Sequence, residues 1–133
     1  MIWHPTPCHR RWSFVLDAIH RLLAYGAVIV AVAGIGWSAI NLGRGKEGST
    51  GFERFQAGVV SLLIVASASG GLLFISGSRP SELLHWLYAG VAIATIPLAR
   101  SFLGRASRRQ SGLLFLVAFV VLGAVVYRLF TTG

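Results

Sequence analysis

Four apolar stretches, each about the length of a bilayer-crossing helix, are joined by short and mostly basic connectors. A helical span needs about 20 largely apolar residues, and segments 14–42, 52–77, 81–103 and 110–130 each meet that length. Connectors this short force successive helices to run antiparallel. The expected fold is therefore all-α: a single integral membrane domain, an up-down-up-down four-helix bundle that fills all 133 residues.

Composition supports the same class. Hydrophobic residues make up 55% of the chain and charged residues 12%, whereas a soluble domain carries about 25% charged residues. The net charge of +8 comes from arginines and a lysine gathered at the ends of the apolar stretches, where they meet lipid headgroups and set orientation. With no aromatic–basic platform or known reader motif, nucleic acid is not an expected partner. The lone cysteine, Cys8, rules out an internal disulfide and any mechanism built on a Cys pair. The first apolar run, 22–42, exceeds the roughly 7–15 residues of a signal-peptide h-region, so it is expected to stay as a transmembrane helix.

Residues 1–12 form a polar leader in which Pro5 and Pro7 discourage helix, and Ser13 is a candidate N-cap for the first span. Asp17 and Arg21 stand four apart and can pair on one helix face. Trp12, Tyr25 and Trp37 suit the membrane interface. Segment 43–51 reads as a flexible linker; it is glycine-rich and contains Lys46 but lacks P-loop spacing. In the second span, Ala66/Gly70 and Ser67/Gly71 place small residues four apart, which admits a neighbouring backbone or a flat ligand. Ser78 or Ser81 can cap the third span with Glu82 at its N-terminus, and Pro97 is expected to kink it or free a carbonyl. Arg128 stands in the last turn of the fourth span, where a cation suits the helix dipole. One set of helix ends carries Arg10, Arg11, Arg21, Arg79 and Arg128; the other carries Arg44, Lys46, Arg54, Arg100, Arg105, Arg108 and Arg109. The richer side is expected to be cytoplasmic, which leaves both termini outside a bacterial plasma membrane.

His20 and His85 each stand near the start of an odd-numbered span, so their depths should match. Neighbouring helices pack roughly 8–10 Å apart, which makes the diagonal of a square bundle roughly 11–14 Å. That gap suits two imidazoles reaching toward one iron, and axial histidine ligation of haem is established chemistry. Asp17 and Glu82, each three residues before a histidine, can orient the rings. Arg21 and Arg79 stand on the side where haem propionates would need cations, and Gly70 and Gly71 can admit a porphyrin face.

Histidines on alternate spans of a four-helix bundle resemble the arrangement in cytochrome b561-type proteins and in half-bundles of haem A synthase. The segment Ser78-Arg79-Pro80, followed by Leu84-His85-Trp86-Leu87-Tyr88, is also similar to small, uncharacterised bacterial four-span membrane proteins. The resemblance covers the four spans and rests on arrangement. It implies b-type haem and electron transfer between a quinone pool and a partner. The chain departs from the cytochrome b561 pattern, which carries four histidine ligands for two haems; only His20 and His85 are suitably placed here, so one haem at most is implied.

The expected function is therefore a small haem-b-binding membrane protein or subunit in respiratory or electron-transfer chemistry, more an accessory or electron carrier than a stand-alone enzyme. Its partners would be the lipid bilayer and a larger membrane complex or a quinone-linked protein. The rival reading is a cofactor-free accessory subunit that packs small-residue faces against a larger complex. His4, Cys8 and His9 lie close together but match no strong metal motif. Proton-coupled export in the manner of small multidrug transporters needs an acid deep in the membrane, and spans two to four have none in their central parts. No hydrolase elbow or dinucleotide fingerprint is present.

Overall fold

The computed structural model describes residues 7–45, 49–75, 83–103 and 107–132. These form four helices: α1 (Pro7–Arg44), α2 (Thr50–Ile75), α3 (Leu83–Ser101) and α4 (Arg108–Thr132). All four are long and apolar enough to cross a membrane. α1 packs on α2 and α4, and α3 packs on the same two. The helices thus close a ring in chain order, with α1 and α3 on one diagonal. The α2–α3 seam is the loosest of the four.

The helix starts follow local chemistry. α1 begins at Pro7 rather than after a loose leader. A proline at the first helical position loses nothing, since that N–H has no partner in a helix anyway. Ser13 therefore lies inside α1 and is not its cap. α2 is capped by Ser49, whose Oγ accepts from the Phe52 N–H at 3.3 Å. α4 opens with a reciprocal capping box: the Ser107 N–H donates to Gln110 Oε1 at 2.8 Å, and the Gln110 N–H points back at Ser107 Oγ at 3.5 Å. α1 ends at Gly45, whose φ of 59° lies in the left-handed region that glycine enters freely. α3 continues through Pro97.

One end of the bundle is filled by aromatic rings. Trp37 near the end of α1 meets Phe52 and Phe55 near the start of α2, with ring centroids 5.6 and 5.4 Å apart. Phe52 meets Phe115 edge-on at 5.4 Å, and Phe55 meets Phe119 at 5.9 Å. The Phe119 ring lies directly over Gly34, in the space a β-carbon would take. A central layer of Ala31, Val59, Ile96 and Leu122, one residue from each helix, is fully buried. The outward faces are also apolar; Leu22, Ile29, Ile75, Leu83 and Leu87 are all well exposed. Such a surface is compatible with lipid contact.

Candidate functional site

The other end of the bundle is hollow. Beyond the central layer, the inward positions fall on small residues: Ala24 and Ala27 of α1, Ala66 and Gly70 of α2, Ala89 and Ala92 of α3. Side chains this short cannot meet across the bundle axis, and a cavity of about 490 Å³ remains. That volume falls in the range of about 300–1,000 Å³ usual for small-molecule sites. Its floor is apolar, made by Ala27, Leu63, Ala92 and Val126, and its wall includes Asp17, Arg21, His20, His85 and Trp86. Tyr25 and Phe130 flank it as a ring pair 5.5 Å apart.

Both histidines singled out by sequence line this cavity, and both are half-buried. His20 is held from α2. Its Nδ1 lies 3.0 Å from Ser69 Oγ and 3.2 Å from the Ala66 carbonyl oxygen. Ser69 Oγ donates its own proton to that same carbonyl at 2.7 Å. A carbonyl can only accept, so the contact with Ala66 O is a hydrogen bond when Nδ1 carries a ring proton, which Ser69 Oγ can share. In the Nδ1–H tautomer of a neutral imidazole the lone pair is on Nε2, the form in which histidine binds a metal.

His85 contrasts with it. Its Nδ1 is buried and has no hydrogen-bond partner among the described residues. The adjacent Trp86 packs edge-on against Phe74 at 5.7 Å, which fixes the wall between α2 and α3.

The remaining sequence candidates divide. Arg21 lines the cavity, but its Nε is engaged by Asp17 Oδ2 at 3.0 Å, with both side chains well exposed. Asp17 therefore holds Arg21 and not His20; the i, i+4 geometry favours the cation, while α2 supplies the groups that orient the histidine. Gly70 receives the His20 ring, since a β-carbon there would lie 3.1 Å from its Cε1. A β-carbon at Gly71 would lie 3.6 Å from the Trp86 ring. The two glycines thus admit neighbouring side chains, and Gly70 also lines the cavity. Arg79 and Glu82 lie outside the described residues, as do His4 and the side chains of Cys8 and His9. Among the described residues, no group of three or more His, Cys, Asp or Glu side chains gathers.

Sequence reasoning missed Ser69, and it missed a second polar group, Gln56, buried in the apolar interior of α2. An amide inside a span is the signal that marks Gln56; Ser69 lies in the Ala66–Gly71 stretch and is marked only by its contact with His20. Comparisons with protein-family models, curated proteins and solved structures return no match.

Proposed function

We propose that this chain is a small integral membrane protein that holds one b-type haem between His20 and His85 and acts as an electron-carrying or haem-bearing subunit of a membrane assembly. The helices cross the bilayer alternately up and down, with both termini outside. The observation that carries the reading is the placement of both imidazoles on one cavity, with the His20 Nδ1 turned to Ala66 and Ser69 of α2. Two histidines hold a metal firmly only when it brings its other ligands, as iron in a porphyrin does. When bound, that group supplies a one-electron couple. The chain's part is to fix His20 through Ser69 and Ala66, to offer His85 as the opposing donor, and to keep the floor apolar. Arg21 at the wall, paired through Nε with Asp17, would offer its other N–H groups to carboxylates.

The test is optical. Protein purified in mild detergent from haem-replete cells is expected to show a Soret band that shifts on reduction. His20→Ala and His85→Ala are each expected to abolish it while leaving helicity and elution position unchanged. A colourless, monodisperse and fully helical native preparation would sink the proposal and leave the scaffold reading.

A further inference from the structure

The aromatic half of the bundle holds a polar set that the cavity does not use. Ser38 Oγ, Asn41 Nδ2 and both amide atoms of Gln56 are buried with no hydrogen-bond partner among the described residues. Ser38 and Gln56 are each only 1% exposed. Unpaired groups of this kind are costly in any interior and more so within a bilayer, where no lipid atom can satisfy them.

Their positions form a series. Asn41 stands half-buried in the last turn of α1, and Ser38 lies one turn deeper on the same face. Trp37, next to Ser38, packs on Phe52, and Gln56 lies one turn inward of Phe52 on the buried face of α2. The next interior residue of α2 is Val59, part of the apolar layer with Ala31, Ile96 and Leu122. Beyond that layer is the cavity floor, with Leu63. The open end of the series is where α1 and α3 finish and α2 and α4 begin; it exposes Arg44, Arg54, Arg100 and Arg109.

The chemistry of the unpaired atoms selects their partner. Two are amide nitrogens, which donate and repel cations. One is an amide oxygen, which accepts and repels anions. The hydroxyl does both. Water both donates and accepts without charge and is small enough to enter a packed interior, where a buried water typically makes about three such bonds.

We propose that Asn41, Ser38 and Gln56 form a hydrated inlet: water enters from the arginine-bearing end, bonds to the three side chains in turn and stops at the Ala31–Val59–Ile96–Leu122 layer. The inlet brings exchangeable protons from one face of the bundle to within a single apolar layer of the cavity on the other. It does not depend on what the cavity holds.

The chain has two glutamines, Gln56 and Gln110, and Gln110 is exposed. The full chain, labelled with 15N at its glutamine side chains and placed in lipid nanodiscs, gives two amide signals; Gln110→Ala identifies which belongs to Gln56. The Gln56 amide is expected to show a cross-peak to water, as Gln110 does, and Ser38→Ala is expected to weaken it. Gln56→Met is expected to lower the Tm, because it discards bonds to water; replacing a dry, unbonded amide would raise it. A Gln56 amide with no water cross-peak beside a clear one from Gln110, or a Gln56→Met chain more stable than the native one, overturns the inlet. If Gln56→Met does not fold, the native spectrum decides alone.

Discussion

The two halves of this bundle use the same four helices and the same inward stripes, yet one is filled by rings beside the proposed narrow polar inlet and the other is hollow. Hydropathy does not separate them; side-chain volume does. Toward the end of α1, Gly34 makes room for the Phe119 ring, and Phe52, Phe55 and Phe115 close around it. Toward its start, the stripe runs through Ala24 and Ala27 and faces Ala66, Ala89 and Ala92, so nothing reaches the axis. Helices in lipid gain little from hydrophobicity alone and associate through close packing and hydrogen bonds. In the aromatic half such packing is present, with rings of α1, α2 and α4 in mutual contact. That leaves the alanine half free to keep a void lined by two imidazoles.

The sharpest way to break this contrast is to hollow the filled half. Phe119 is fully buried at the centre of the ring cluster. Phe119→Ala is expected to cost roughly 3–5 kcal/mol, the usual loss for a large buried aromatic, read as a drop in the detergent unfolding midpoint. The opposite insult comes next. Gly34→Ala places a methyl where the Phe119 ring already lies and is expected to cost about 1–3 kcal/mol by overpacking. The pair is in contact, so Gly34→Ala with Phe119→Leu should recover part of that loss. Additive losses in the double variant would show that ring and glycine do not share one space.

The four helices are legible in sequence because they depend on local properties, whereas the ring cluster of the filled half is not, since it joins residues of α1, α2 and α4. Length and hydropathy give four helices, and Ser107-Arg108-Arg109-Gln110 spells a capping box that starts α4 ahead of residue 110. Pro7 misleads in isolation: proline signals a break, but at the first turn it starts a helix instead. The hollow half is legible only in part. The matched depth of His20 and His85 follows from their positions in the first and third spans. The groups that orient His20 do not, because Asp17 is its near neighbour in sequence while Ala66 and Ser69 reach it through tertiary packing. Gly70 is recognisable as a place of close approach, but nothing in the chain says that an imidazole takes that place.

Filling the hollow half should have the reverse signature of hollowing the filled one. Ala89 lines the cavity wall and is only half-buried. Ala89→Leu puts apolar bulk into existing space, so stability is expected to stay within about 1 kcal/mol of native. If the cavity holds haem as proposed, ligand capacity should fall instead: the Soret absorbance per chain is expected to drop severalfold at unchanged helicity. Full pigment loading in this variant would mean that the void is not where a ligand sits.

The smallest effect is expected at Ser69, and it tests how the hollow half keeps its order without bulk. Ser69→Ala removes one of two acceptors for the His20 ring proton and leaves the Ala66 carbonyl. The loss should be about 1 kcal/mol, a typical net hydrogen bond. Because a carbonyl cannot donate, the proton has reason to stay on Nδ1, and 15N shifts of the His20 ring should still report the Nδ1–H tautomer, with broader lines from a looser ring. If the proton moves to Nε2 in this variant, the Ser69 hydroxyl, and not the backbone, had been setting the ring. His20 would then owe its orientation to one side chain, whereas the Phe52 and Phe119 rings of the filled half are each held by several neighbours at once.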